Sequence, residues 1–274
     1  MLKMYQVDAF SQELFKGNSA AVIILNEWLD ESLMQNIALE NNLSETAFLK
    51  ASTDESYHIR WFTPTDEIAF CGHATLASAF ILFENNPALK NLRFTTNEMG
   101  DFYIQQDTDG LIVMEFPVRQ PTVLEEIPQG LVEALGTPFK TLYVNDQAYV
   151  VEYEHAEQVL ELQPDFLHLK SICLNAKVND GKTKDVVITA PSDQAEYDFI
   201  SRYFAPAIGV NEDPVTGSIH TALAPFWSQR FNKPELIAYQ ASTRGGVLYC
   251  KQLSAQRMQV AGYAKLYMVA EIFV

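Results

Sequence analysis

The sequence predicts an α+β fold made of two similar halves, and three observations carry that reading. Short apolar or alternating stretches bounded by Gly, Asn, Asp and Pro recur along the whole chain, which is the pattern of many short strands. Between them lie segments with helical spacing, and one, Ala74 to Phe83, is apolar on nearly every face, as a buried helix is. The approach to that helix occurs twice. Phe62-Thr63-Pro64 precedes Gly72-His73, and Phe204-Ala205-Pro206 precedes Gly217-Ser218 at nearly the same remove, followed by Ile219, Ala222, Leu223, Ala224, Phe226 and Trp227. Two such halves would each donate one helix end. The plainer alternative is a chance likeness between two core helices.

In order, Tyr5 and Val7 alternate with Gln6 and Asp8, Gly17-Asn18 makes a turn, and Ala20 to Leu25 reads as a buried strand. Asp30 then caps a helix carrying Leu33, Met34, Ile37 and Ala38, which ends at Asn41-Asn42. Glu45 sits at the junction between that helix and a strand through Thr46 to Leu49. Tyr57, Ile59 and Trp61 mark the next strand, and the buried helix stops at Asn85-Asn86-Pro87. Leu92 to Thr96, Phe102 to Gln105 and Leu111 to Phe116 form a meander, and Pro117, Pro121 and Pro128 mark a connection. The expected halves are therefore residues 1–118 and 119–274. The second half carries strands near Leu142 to Val144, Ala148 to Val151, Val186 to Thr189, Leu236 to Ala238 and Val247 to Cys250. Helices are expected at His155 to Leu162, at Glu196 to Tyr203 and centrally after Gly217. Leu266 to Val274 reads as a terminal strand that can cross back into the first sheet.

Composition narrows the function. The 274 residues suffice for two ordinary domains, and 48% hydrophobic with 20% charged residues is a normal soluble balance. A formal charge of -16 argues against nucleic-acid or anionic-membrane partners, which need clustered Lys and Arg. Three widely spaced cysteines, Cys71, Cys173 and Cys250, argue against a disulfide framework and for a reducing compartment, so the cytoplasm is expected. Met1 to Asp8 lack the basic start and apolar core of a signal peptide. The apolar run Ala74 to Phe83 is far short of the roughly 20 residues that cross a bilayer.

Several motifs then occur in one order: Gly17-Asn18-Ser19-Ala20-Ala21-Val22, Leu43-Ser44-Glu45-Thr46-Ala47-Phe48, Arg60-Trp61-Phe62-Thr63-Pro64, Phe70-Cys71-Gly72-His73-Ala74-Thr75, Glu212-Asp213-Pro214-Val215-Thr216-Gly217-Ser218 and Gln240-Ala241-Ser242-Thr243-Arg244-Gly245-Gly246. Together, through most of the chain, they resemble the phenazine biosynthesis-like (PhzF) family. The resemblance implies the diaminopimelate epimerase-like fold: two pseudo-symmetric halves, each a curved, mainly antiparallel sheet wrapped around a central helix, with the active site between them. It also implies a cofactor-free isomerase that is a homodimer.

Glu45 matches the family's catalytic acid/base. Taken alone, a glutamate at an element junction is more often a cap or a solvated group. The chemistry explains why a carboxyl is wanted: one semi-buried group titrating near the working pH can take a proton from carbon and return it at another position. His73, Asp213 and Ser218 match positions that surround the substrate. His73 could bond a hydroxyl or carboxylate. Asp213 could bind an amine or hydroxyl and tune Glu45, or merely form a turn before Pro214. Gly72 and Gly217 open helix entrances whose free amides attract anions, so with Ser218 they would hold a carboxylate and the charge that develops as the proton leaves carbon. Gly245 and Gly246 either bring backbone close to the site or form a hairpin turn.

In related two-base racemases of this fold, paired thiols work on opposite faces of a carbon. Here Cys71 matches one position but Thr216 occupies the other, so Cys71 reads as a small buried residue. No dinucleotide or phosphate loop, paired Cys-x2-Cys or His-Glu-x-x-His spacing is present, so neither cofactor nor metal is expected. Gly217-Ser218-Ile219-His220 does not fit the Gly-x-Ser-x-Gly nucleophile turn. The expected function is a proton-shifting isomerase of a small carboxylate. The rivals are a binding protein without turnover and a Cys71-dependent epimerase.

Overall fold

A computed structural model of the chain describes residues 1–53, 55–176 and 183–274. The chain divides into two compact units, Met1–Glu115 with Gln259–Val274, and Phe116–Met258.

In the first unit β1 (Leu2–Ala9) pairs antiparallel with β2 (Asn18–Leu25). Helix α1 (Glu31–Asn41) crosses over to β3 (Glu45–Thr53), which lies parallel to β2, a pairing that requires such a crossover. β4 (Ser56–Phe62) returns antiparallel, and the short β5 (Glu67–Ile68) leads into α2 (Gly72–Asn85). β6 (Asn91–Thr95) then runs parallel to β4, followed by antiparallel β7 (Asp101–Gln106) and β8 (Ile112–Pro117).

β2 is buried on both faces, which is why its sequence shows no alternation. Ala21 and Ile23 pack with Phe48 and with Met34, Ile37 and Ala38 of α1, while α2 also packs on the strand. α2 is buried almost throughout. Its hydroxyls are satisfied within the helix, Thr75 Oγ1 donating to the Cys71 carbonyl (2.6 Å) and Ser78 Oγ to that of Ala74 (2.7 Å). Asp30 occupies the N-cap position of α1, but its side chain makes no capping hydrogen bond.

The second unit opens with β9 (Thr122–Val123) and α3 (Leu131–Leu135) and then repeats the scheme. β10 (Thr141–Val144) and β11 (Ala148–Glu152) pair antiparallel; α4 (Ala156–Glu161) and α5 (Phe166–Leu174) cross over to β12 (Asp185–Pro191), parallel to β11. β13 (Phe199–Ala205) is antiparallel to β12, and β14 (Val210–Asp213) is antiparallel to β13. After α6 (His220–Phe231), β15 (Glu235–Gln240) returns parallel to β13 and β16 (Gly246–Gln252) antiparallel to β15. The order of parallel and antiparallel pairings from β10 to β16 is that from β1 to β7. β17 (Arg257–Gly262) leads to β18 (Ala264–Ile272), which pairs antiparallel with β1, Leu2 opposite Ile272. Among the described residues no helix is long and apolar enough to cross a membrane.

Two expectations need correction. The stretch Glu196 to Tyr203 is not a helix; from Phe199 it is strand β13, whose seven residues are all buried. A strand covered on both faces loses its period of two, and here buried Ser201 and Arg202 also interrupt the apolar run, so no period marks it as a strand. The second central helix does not open at Gly217. Gly217 to Ile219 form a turn, and α6 starts at His220. Within α6, Pro225 cannot donate to the carbonyl one turn back, and the amide of Arg119 fills that place on Thr221 (3.1 Å).

One buried charge ties this unit together. The Arg202 guanidinium on β13 donates to both Glu212 oxygens (2.7 and 3.0 Å) and to the Val159 and Leu162 carbonyls beside α4 (3.1 and 2.6 Å). Arg202→Ala would leave Glu212 and both carbonyls without this donor, and a loss of about 3–5 kcal/mol is expected. Urea unfolding checks it; a loss below about 1 kcal/mol would mean that the ion pair is water-screened.

Candidate active site

In the first unit the third strand and the central helix bring their leading residues together. Glu45 is the first residue of β3 and lies opposite Ala20 of β2, so Glu45 and the Gly17-Asn18 turn share one end of the parallel pair. Gly17 is needed there: its φ is +67°, and a Cβ would lie 2.1 Å from the Ala9 carbonyl oxygen. Phe10 and Phe15, in the same loop, also have positive φ (63° and 67°). Strain of this kind clusters at functional sites.

His73, second residue of α2, sits at the centre. Its Nδ1 is 3.1 Å from Asn18 Nδ2 and 3.4 Å from Cys71 Sγ, and its Nε2 is 2.9 Å from Glu45 Oε2. The Asn18 amide nitrogen can only donate, so in the neutral ring Nδ1 accepts and Nε2 carries the hydrogen toward Glu45. The Nε2 contact is one of charge and distance. Oε2 is buried and faces His73 Nε2 at 2.9 Å, and a carboxylate oxygen has a further lone pair beyond the one turned to the ring.

The electrostatics follow from crowding. Burial works against a charged His73, yet Cys71 and Glu45 together carry its pKa well above the ordinary value. Burial first, and then the charge of Glu45, push the Cys71 thiol up to about 11. Such a thiol stays protonated at neutral pH. Glu45, Cys71 and His73 present one ligand-type atom each within 4.8 Å of one another, a set that could hold a metal ion. A metal would have to displace the thiol proton and the His73–Glu45 contact. At the entrance of α2, Thr75 makes the first backbone bond back to Cys71 (3.1 Å) and the Ala74 amide bonds the Cys71 sulfur. The amides of Gly72 and His73 precede that first bond.

In the second unit Asp213 ends β14 and accepts the Thr216 hydroxyl. Gln240, fully buried at the end of β15, staples the loop: it accepts from Thr216 N (2.9 Å) and donates to the Asp213 carbonyl (2.8 Å). Ser242 donates to the Pro214 carbonyl (2.8 Å) and accepts from Gly245 N (3.1 Å). Gly245 and Gly246 therefore close a hairpin, and Gly245 is required because its φ is +68° and a Cβ would meet the Tyr239 hydroxyl at 2.2 Å. Ser218 Oγ accepts from Gln147 Nε2 (2.9 Å). His220 uses Nδ1 on the Thr216 carbonyl (2.8 Å), as Thr75 uses its hydroxyl on Cys71. Burial pushes the His220 pKa down to about 4.

Of the residues expected from sequence, Glu45, Gly72 and His73 cluster in the first unit, and Asp213, Gly217 and Ser218 lie around one loop and turn of the second. His73 meets Glu45 rather than standing open, and Thr216, at the position a second thiol would take, is the partner of Asp213. Sequence reading does not single out Asn18, Gln147, Asp185, Tyr203 or Gln240. Asn18 and Gln240 lie inside quoted motifs; the other three are linked only by strand pairing.

Residues 7–270 match the model of the family described as phenazine biosynthesis-like protein. The chain is 43% identical to an uncharacterized isomerase of Pseudomonas aeruginosa over 97% of either chain. It is 40% identical to the crystal structure of a PhzF-family protein from Enterococcus faecalis, with a TM-score of 0.90 over 100% of this chain and 99% of the other. A hydroxyproline epimerase from Agrobacterium vitis shares the fold alone, with a TM-score of 0.63 at 11% identity over 99% of this chain and 90% of the other.

Proposed function

The chain belongs to the phenazine biosynthesis-like protein family, and from that premise we propose that it is an isomerase moving a proton within a small carboxylated metabolite, with Glu45 as the single acid/base and no cofactor. The observation that carries the reading is the buried Glu45 carboxylate, held 2.9 Å from His73 Nε2. A base working on carbon needs a free lone pair shielded from water, and once protonated the same group can return the proton elsewhere. In the step, a C–H bond of the substrate breaks toward Glu45 and its electron pair spreads through a neighbouring double bond. The proton is then delivered to a different carbon, so atoms and charge balance without a co-reactant. His73 faces the carboxylate and steadies its charge. At the entrance of α2 the Gly72 amide attracts a carboxylate. In the second unit the Ser218 hydroxyl, the Gly217 amide and Asp213 are the groups read as substrate-binding, Ser218 and Gly217 toward an anion and Asp213 toward an amine or hydroxyl. The isomerase named among the relatives supports the reaction class. A thiol at about 11 is a poor base, which weighs against Cys71-dependent epimerisation.

The test is incubation of the protein with a panel of small unsaturated and amino carboxylic acids in deuterated water, read by mass spectrometry. Deuterium is expected at carbon in at least one acid, in wild type and in Cys71→Ser alike. Binding of an acid with no label entering it would make the protein a binder, and loss of labelling in Cys71→Ser would return the chemistry to the thiol.

A further inference from the structure

The two units solve one problem in two ways. Asp185 opens β12 opposite Ala148 of β11, as Glu45 opens β3 opposite Ala20 of β2. Ser218 follows Gly217 as His73 follows Gly72. In the first unit the strand-leading carboxylate meets the helix-entrance side chain directly, at 2.9 Å. In the second it reaches the corresponding side chain through two intermediaries: Tyr203 Oη lies 2.6 Å from Asp185 Oδ2, and Gln147 Nε2 lies 2.9 Å from Tyr203 Oη and 2.9 Å from Ser218 Oγ.

The direction of this chain is set at one end. An ionised carboxylate can only accept, so the Tyr203 hydroxyl donates to Asp185. Its oxygen is then left only to accept, and Gln147 must face it with its amide nitrogen. The same NH2 group supplies the second hydrogen to Ser218 Oγ. Ser218 therefore acts as acceptor toward Gln147, and its own hydroxyl hydrogen is left for a third partner. With the amide reversed, Ser218 would spend that hydrogen on Gln147. Burial holds Tyr203 protonated, as this donor role requires, and the neighbouring charge of Asp185 adds to that effect.

We propose that Gln147, locked in orientation by Tyr203 and Asp185, is a positioning residue that keeps the Ser218 hydroxyl hydrogen aimed at the anionic end of the substrate. The inference rests on reading Ser218 as a substrate-binding group. It adds three residues to the machinery of that site, none of which touches the reacting atoms, and explains why a carboxyl and a phenol are kept behind a serine. A hydroxyl aimed in advance loses no rotational freedom on binding an anion.

The test uses sulfate as the probe, titrated calorimetrically at pH 8 into the full chain as wild type, Ser218→Ala, Gln147→Leu and the double variant, with Tyr203→Phe as the shape-preserving alternative to Gln147→Leu. Ser218→Ala is expected to weaken sulfate binding about tenfold, as loss of one charge-assisted hydrogen bond does. Gln147→Leu and Tyr203→Phe should each weaken it severalfold in the wild-type background and leave it unchanged in the Ser218→Ala background, measured at a temperature where every variant is folded. If Ser218→Ala weakens binding while Gln147→Leu and Tyr203→Phe do nothing, or act equally in both backgrounds, the positioning role is overturned and the reading of Ser218 stands. No sulfate binding, or no effect of Ser218→Ala, overturns the reading of Ser218 and the inference with it.

Discussion

Glu45→Gln is expected to slow deuterium incorporation roughly 10²–10⁴-fold, the range a positioned general acid or base contributes. Glutamine keeps the length and shape of the side chain, and its carbonyl oxygen can still face His73 Nε2, now 2.9 Å from the carboxylate. What it lacks is the ability to take up a proton. Because the packing is conserved, the loss should fall on turnover and leave binding of the carboxylate substrate nearly unchanged. Glu45→Asp retracts the carboxylate by one methylene and should recover part of the rate. The same variant has a second readout. Burial lowers the pKa of His73, and Cys71 and Glu45 are what raise it, so Glu45→Gln should bring the His73 titration down, as seen by NMR of the ring protons. The sign for stability follows. A histidine raised in the folded state contributes stability that is present below its unfolded pKa and lost as pH rises through the folded value. The variant should therefore lose more stability at acid than at alkaline pH. Wild-type turnover in Glu45→Gln would remove Glu45 from the role of shuttle, whatever happened to His73.

Glu45 and His73 are legible only through the motifs that resemble the family, because a glutamate between Ser44 and Thr46 at an element junction, or a lone histidine, reads by itself as a cap or a structural group. The run Ala74 to Phe83, apolar on nearly every face, is legible as a buried helix and lies within α2. The strand from Phe199 to Ala205 is not, since burial on both faces erases the alternation that marks a strand, and Ser201 and Arg202 interrupt its apolar run. Gln147, Asp185 and Tyr203 are brought together by the parallel pairing of Ala148 with Asp185 and the antiparallel pairing of β12 with β13. No local spacing encodes those registers. A signal is nevertheless present: extended beyond the two glycines, the repeat aligns the start of β12 with the start of β3, and Asp185 with Glu45. The correspondence of Thr75 and His220, each bonding the carbonyl four residues back, is of the same kind. The repeat is conserved in what the side chains do and not in what they are.

The second large effect is a pair of opposed pH dependences within one unit. Burial raises Asp185 to about 6, against an ordinary 3.8, although the hydrogen bond from Tyr203 works the other way. Its folded form holds a proton more tightly than the unfolded chain, so the stability this confers is complete below about pH 4 and lost as pH rises through 6, amounting to about 3 kcal/mol. His220 runs in the opposite sense. Its pKa falls from 6.5 to about 4, so the unfolded chain takes the proton first, and about 3 kcal/mol is lost as pH falls between those values. In the wild type the two nearly cancel across that window. Asp185→Asn removes the first and keeps an oxygen for Tyr203; His220→Gln removes the second and keeps a donor for the Thr216 carbonyl. Urea unfolding from pH 4 to pH 7 should show wild-type stability falling by about 3 kcal/mol relative to Asp185→Asn and rising by about as much relative to His220→Gln. Lost stacking of His220 on Phe199 shifts the second curve without changing its slope. Parallel, flat difference curves would mean that neither group is held away from its ordinary titration. Opposed slopes would mean that the chain carries an ionised Asp185 at neutral pH against its own stability, which is what a carboxylate retained for orienting Tyr203 and Gln147 requires.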